Sequence, residues 1–234
     1  MNISPSPFGA PSQMGVRPAA ALSATFLTQA FTWMFAGLLL TAAVSWFVGG
    51  SAGLLKFAAD NILLLFLGQL ALVIVISAGI NKIGATVALG LFFVYAATLG
   101  LTIGLIVTIY TGESVATAFL SASAMFGAAA LYGATTKRSL ASIGGFLIMG
   151  VVGLIVASVV NLFLGSTPLA YVISFAGVAI FTVLTAYDVQ RISSGDLAAQ
   201  YGSMEKAAVI GALRLYLDFI NLFLFLLRIF GDRR

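Results

Sequence analysis

The stretch ALRLYLDFINLFLFLLRIF, residues 212–230, is apolar and long enough to cross a bilayer, yet it holds Arg214 and Asp218 within it. A second apolar run, PLAYVISFAGVAIFTVLTAYD at 168–188, ends on Asp188. A charged side chain at the bilayer centre costs roughly 2.5–3.5 kcal/mol even on the most forgiving scale. Such residues face protein or a water-filled cavity, so Asp188 and Asp218 are the candidate functional residues.

Composition assigns the remainder of the chain to the same environment. Of 234 residues, 61% are hydrophobic and 8% charged, where soluble domains carry about a quarter charged residues; the mean hydropathy is +1.13. The expected fold class is an all-α integral membrane protein. Neither Cys nor His occurs, which removes disulfides, thiolate nucleophiles, imidazole metal ligands and any triad that needs an imidazole base. No cofactor, no tight metal site and no enzymatic activity are expected. The net charge of +4 is spread over loops and the C-terminus without a basic cluster, so membrane lipid rather than nucleic acid is the expected partner.

Residues 1–20 hold four of the five prolines and one basic residue, Arg17, and read as a disordered N-terminal tail. They lack the basic and apolar regions of a secretory signal, leaving the first membrane helix as its own insertion signal. Residues 21–234 read as a single transmembrane domain. With about 20 apolar residues needed per crossing, six spans are expected: Gln29 to Val48, Asn61 to Ile80, Ala85 to Tyr110, Val115 to Thr135, Leu140 to Leu164 and Pro168 to Arg191. Ala207 to Phe230 is a seventh, and it either spans or re-enters and returns. A cytoplasmic N-terminus gathers Arg17, Lys82, Lys137, Arg138, Arg191 and Lys206 on one side, as the positive-inside rule prefers, although Arg228, Arg233 and Arg234 then fall outside.

On the last helix Gly211, Arg214, Asp218, Asn221, Phe225 and Arg228 recur at steps of three and four, forming one polar stripe with Arg214 and Asn221 in support of Asp218. The stripe should turn away from lipid, and Arg214 is placed one turn before Asp218 to pair with it. If this helix starts beyond the membrane surface, Asp188 and Asp218 meet; close carboxylates cannot both ionise cheaply and titrate as a unit. The plainer reading makes Asp188 a boundary acid and Arg214–Asp218 a packing pair. Gln69, Asn161 and Tyr132 are candidates for interhelical hydrogen bonds, the glycines at 100, 104, 127 and 133 for close helix packing, and Asp60, Glu113, Asp196 and Glu205 for solvated positions.

Three segments carry a resemblance: AYDVQRI at 186–192, LYLDFINLFLFLLRIFG at 215–231 and LYGATTKRSLASIGGFLIMG at 131–150 resemble the bacterial branch of the Bax inhibitor-1 family. That resemblance implies seven helices with the last one central and enclosed by two groups of three, in the bacterial plasma (inner) membrane. It also implies a proton-sensitive pair, Asp188 and Asp218, at a pore through which calcium, the transported ion, leaks and is held only transiently. Some relatives place a latch arginine late in the second helix, where this chain has Gly79 in ISAGINK. Arg214, holding Asp218, is then expected to replace it in part.

The function expected is a pH-sensitive calcium leak. The alternative, also implied by the resemblance, is a regulatory partner of a membrane-anchored protease with the tail as its handle. An intramembrane paired-aspartate enzyme ranks last, because the motifs around the acids match a different family.

Overall fold

Lipid offers a backbone N–H or C=O no partner, so long apolar runs enter a bilayer as helices. The computed structural model, which describes the backbone of residues 20–232 and the side chains of 25–232, is built accordingly. Its helices are α1 (Ala20–Gly49), α2 (Ala52–Asp60), α3 (Ile62–Gly79), α4 (Ala85–Val107), α5 (Gly112–Thr135), α6 (Gly144–Leu164), α7 (Thr167–Ser193), α8 (Asp196–Tyr201) and α9 (Met204–Phe230). Seven of these, α1, α3, α4, α5, α6, α7 and α9, are long and apolar enough to cross a membrane. The tail expected over 1–20 lies outside the described residues apart from Ala20, where α1 begins.

Two segments expected as loops are helical. After α1, the Ser51 Oγ accepts from the Leu54 N–H at 3.4 Å and starts α2; on its exposed face Lys56 pairs with Asp60 at 2.9 Å. Between α7 and α9, the polar segment around Asp196 folds into α8. Gly195 (φ 77°) and Gly202 (φ 62°) bracket it in the left-handed region, which glycine enters without a Cβ clash. Through those two corners the chain reverses from α7 into α9.

The helix α9 crosses once, which removes the re-entrant alternative. Beyond its end, the Thr111 N–H donates to the Asp232 carbonyl at 3.1 Å and the Asp232 N–H to the Ser114 Oγ at 2.9 Å. Those bonds fix the far end of α9 on the turn between α4 and α5, at the opposite face from the start of α1. Arg228 is exposed there, so its charge reaches water and does not prevent the crossing.

Of the seven spans α9 is the most buried. It packs on α1, α4, α5 and α7, while α3 lies against α4 and α6 against α7. Small residues permit the close approaches. A Cβ on Gly100 would meet Val44 and the Thr41 backbone, and one on Gly104 would meet Val48 and the Ser45 backbone, so these two glycines set the α1–α4 seam. The third approach is between α5 and α7, where Gly133 receives the backbone of Ala186. Gly127 borders open space instead.

Buried polar groups tie the same helices together. The Tyr216 hydroxyl on α9 donates to the Thr41 Oγ1 on α1 at 2.5 Å, and Thr41 donates onward to the Ala96 carbonyl on α4 at 2.9 Å. Gln69 joins α3 to α4 through the Thr98 carbonyl (3.0 Å) and the Thr102 hydroxyl (2.8 Å), as an interhelical hydrogen-bonding residue should. Asn161 acts locally, accepting from the Ser166 N–H at 3.1 Å in the turn between α6 and α7. Tyr132, expected to bridge helices, lies exposed on the outside of α5.

Replacing Gly133 by Val should force α5 off α7 and lower stability by about 1–3 kcal/mol, the usual cost of overpacking. Gly127→Ala should leave the midpoint unchanged or raise it slightly, since Ala is the better helix former and has room. Thermal unfolding of the two purified variants in one detergent checks the contrast.

Candidate functional site

The polar stripe of α9 faces α7. A Cβ on Gly211 would meet Ile192, the Arg214 guanidinium reaches Asp188, and the Phe225 ring fills the space a Cβ on Gly177 would take. Phe225 also stacks at a tilt on Phe181, with ring centroids 5.9 Å apart. This antiparallel register sets Asp218 opposite residues 184–188. The stripe therefore turns toward protein, as its burial cost requires.

The Arg214 Nη1 donates to the Asp188 Oδ1 at 2.9 Å, an ion pair between helices. This corrects the expectation that Arg214 holds Asp218 within α9. The order along the helix explains it. Base before acid at i and i+4 is the weaker arrangement, and helical side chains lean toward their own N-terminus, which carries the guanidinium away from Asp218 and toward α7.

Asp188 is 3% exposed and Asp218 2%. The Oδ2 of Asp218 is buried and, among the described residues, has no hydrogen-bond partner. The charged groups whose fields reach Asp218 are Asp188 and Arg214. Two carboxylates and one guanidinium thus share the seam, with the guanidinium committed to Asp188. Asp188 lies within α7, before its last residue Ser193, and is nearly as buried as Asp218.

Asn221 does not join this group: its Nδ2 donates to the Leu217 carbonyl of its own helix at 2.8 Å. Gly79 is the last residue of α3 and borders open space. The cation against these acids comes from α9, with Arg191 adding its field at Asp188.

Several supporting residues were not assigned roles from the sequence. Gln190, one turn short of the end of α7, accepts from the Leu140 N–H at 2.7 Å and donates to the Arg138 carbonyl at 2.8 Å, pinning the α5–α6 turn beside Asp188. The Tyr201 side chain of α8 interacts with the Arg214 guanidinium. The Lys206 Nζ bonds the Asn81 carbonyl at 3.3 Å and fixes the start of α9 to the α3–α4 turn. Gln190 lies inside the AYDVQRI segment, so the segment marked it; Tyr201 and Lys206 had no signal beyond lying near span ends. Ala186 of the same segment is the residue that Gly133 of LYG receives, so two segments quoted for the resemblance touch.

These features define an all-helical, multi-pass membrane protein, as far as residues 20–232 describe it, that buries two acids beside one partly exposed arginine where α7 meets its most buried span. The family model described as "Inhibitor of apoptosis-promoting Bax1" matches residues 23–234, and the chain belongs to this, the Bax inhibitor-1 family. It is 45% identical over 225 residues to the inner membrane protein YbhL of Escherichia coli, covering 94% of this chain and 96% of that protein. It is also 43% identical over 210 residues to an uncharacterized protein of Deinococcus radiodurans (89% and 91% covered) and 41% identical over 214 residues to one of Borreliella burgdorferi (89% and 92%). The chain is accordingly a multi-pass inner membrane protein of that family.

The two acids should respond oppositely to neutralisation. Asp188→Asn strands the Arg214 guanidinium; breaking a buried pair costs about 3–5 kcal/mol, and the partial exposure of Arg214, 32% of its side chain, lowers the expectation to about 2 kcal/mol. Asp218→Asn removes an acid whose oxygen is unpartnered and should be neutral or stabilising. Unfolding midpoints of both variants in detergent decide; equal losses would mean that Asp218 carries a structural bond of its own.

Proposed function

We propose that this protein is a pH-sensitive calcium leak of the bacterial inner membrane, oriented with its N-terminus in the cytoplasm, in which Asp188 and Asp218 form the sensor and the ion-facing group. The observation that carries the reading is the buried Asp218 oxygen without a partner beside a carboxylate already occupied by Arg214. One carboxylate at this seam is balanced by the guanidinium; the other is left for a proton or a passing cation. Family membership adds support, since the same two acids match the family's paired motifs.

The arithmetic of charge suggests how the pair acts. With a proton on Asp218 the α7–α9 seam is neutral overall and closes on itself. With the proton gone, the seam holds one net negative charge in a poorly solvated place, which repels the Asp188 carboxylate and attracts a cation. Calcium ordinarily takes six to eight oxygens, and among the described residues no group of three or more metal-ligating side chains gathers. Two carboxylates suit transit better than storage. Arg214 takes the part of a latch by engaging Asp188, in place of the grip on Asp218 that its position in the helix suggested. The positively charged turns at 81–82 and 137–138, with Arg191 and Lys206, support the orientation.

The test is calcium flux into liposomes holding the purified protein, stepped from about pH 8 to about pH 6. Wild-type flux should change across that interval, Asp218→Asn should lose the dependence, and Arg214→Leu should displace the profile by freeing Asp188. Flux no greater than that of empty liposomes at every pH would end the channel reading and favour the role as a protease partner. A pH response that survives in Asp218→Asn would move the sensor elsewhere in the chain.

A further inference from the structure

On a different face of α9 from Arg214 and Asp218, toward the end where α1 finishes, a cavity of about 770 Å³ lies between α1 and α5, with α4 and α9 also lining it. The two helices touch through Phe31 and Phe126, whose rings meet edge-on with centroids 6.3 Å apart, and the cavity lies beyond that contact, lined by Leu38 to Gly49 on α1 and Gly112 to Phe119 on α5. Ala42 and Trp46 on α1 and Ala116 and Phe119 on α5 line the cavity and are themselves exposed on the outside of the bundle. Phe219 and Phe223 of α9 form its back wall. The cavity is therefore a crevice that opens sideways, into the apolar layer the seven spans occupy.

We infer that this crevice seats one acyl chain of a lipid drawn from the leaflet on that side. Chemistry, size and level each point to that occupant. No Asp, Glu, Lys or Arg lines the cavity, so an ion or a phosphate headgroup finds no counter-charge in it. Of its hydroxyls, Thr41 is engaged by Tyr216 and Thr108 donates to the Leu105 carbonyl at 2.7 Å; an apolar chain asks nothing of them. Along α1 the crevice runs from Leu38 to Gly49, roughly 16 Å at 1.5 Å per residue, and one leaflet's share of the hydrocarbon core is about 15 Å. The volume lies within the roughly 300–1,000 Å³ of ligand sites. Trp46, 82% exposed, stands at the rim toward the end of α1, a ring type that marks the membrane–water interface. The inference does not depend on the ion reading, since it uses none of the residues of the acid seam.

The absence of native cysteine makes a direct test possible. The protein is reconstituted with a phospholipid bearing a photoreactive group midway along one acyl chain, irradiated, digested and mapped by mass spectrometry. Adducts on the α9 segment containing Phe219 and Phe223 are expected. They should fall severalfold in Ala116→Trp, which fills the crevice, while adducts at Phe163, 84% exposed on α6, stay unchanged. In a parallel arm, Ser45→Cys should resist a charged, membrane-impermeant thiol reagent that readily modifies Asp60→Cys at the same end. Wild-type protein labelled at Phe163 and not on α9 would overturn the proposal, and so would modification of Ser45→Cys at the rate of Asp60→Cys, which would make the crevice a water-filled vestibule.

Discussion

The ion pair between Arg214 and Asp188 is the constraint to which much of the structure answers. Neither charge can stand alone in an apolar bundle, because the desolvation of each is recovered only when the partner is held in place. That requirement fixes the rotation of α9, whose stripe must face α7, and it fixes the register at which the two helices meet. It also explains why the span with the most polar interior is the most buried: α1, α4 and α5 shield it from lipid while α7 supplies the counter-charge.

Holding one helix inside others demands close packing without the hydrophobic drive available in water, and small residues supply it. Gly100 and Gly104 let α4 approach α1, and Gly133 lets α5 reach the Ala186 backbone two residues before Asp188. The hydrogen bonds from Tyr216 through Thr41 to Ala96 then join three helices at a point where no solvent competes. At the end nearer the acids, Gln190 and Lys206 tie two turns to α7 and α9. The acids thus lie on a frame restrained from several sides.

Along α9 the chemistry changes over little more than a turn. Arg214 and Asp218 occupy the seam toward α7; Tyr216 points to α1, and Phe219 and Phe223 stand at the back of the apolar crevice. Residues 216, 219 and 223 share a face distinct from that of 214, 218 and 221. One helix accordingly serves a charged seam on one side and an apolar cavity on another, which is possible because it is the most buried of the seven spans.

Much of this was legible in the residues themselves. Six of the crossings follow from apolar run length, and the burial of Asp218 from its place inside a seventh such run, because lipid penalises backbone and charge so heavily that few alternatives survive. The stripe on α9 was readable from helical periodicity, and Asp188 with Asp218 from their cost. What periodicity does not contain is which neighbour a stripe faces. Arg214 has an acid one turn away in its own helix and another 26 residues back in the chain, and only packing selected the distant one. The same limit hid α8, whose polar sequence depends on α7 and α9 for its helical form, and the single crossing of α9, which bonds at Thr111 and Ser114 decided. The crevice between α1 and α5 belongs wholly to tertiary structure: its lining comes from α1, α4, α5 and α9, stretches far apart in the chain whose surfaces come together only in the fold.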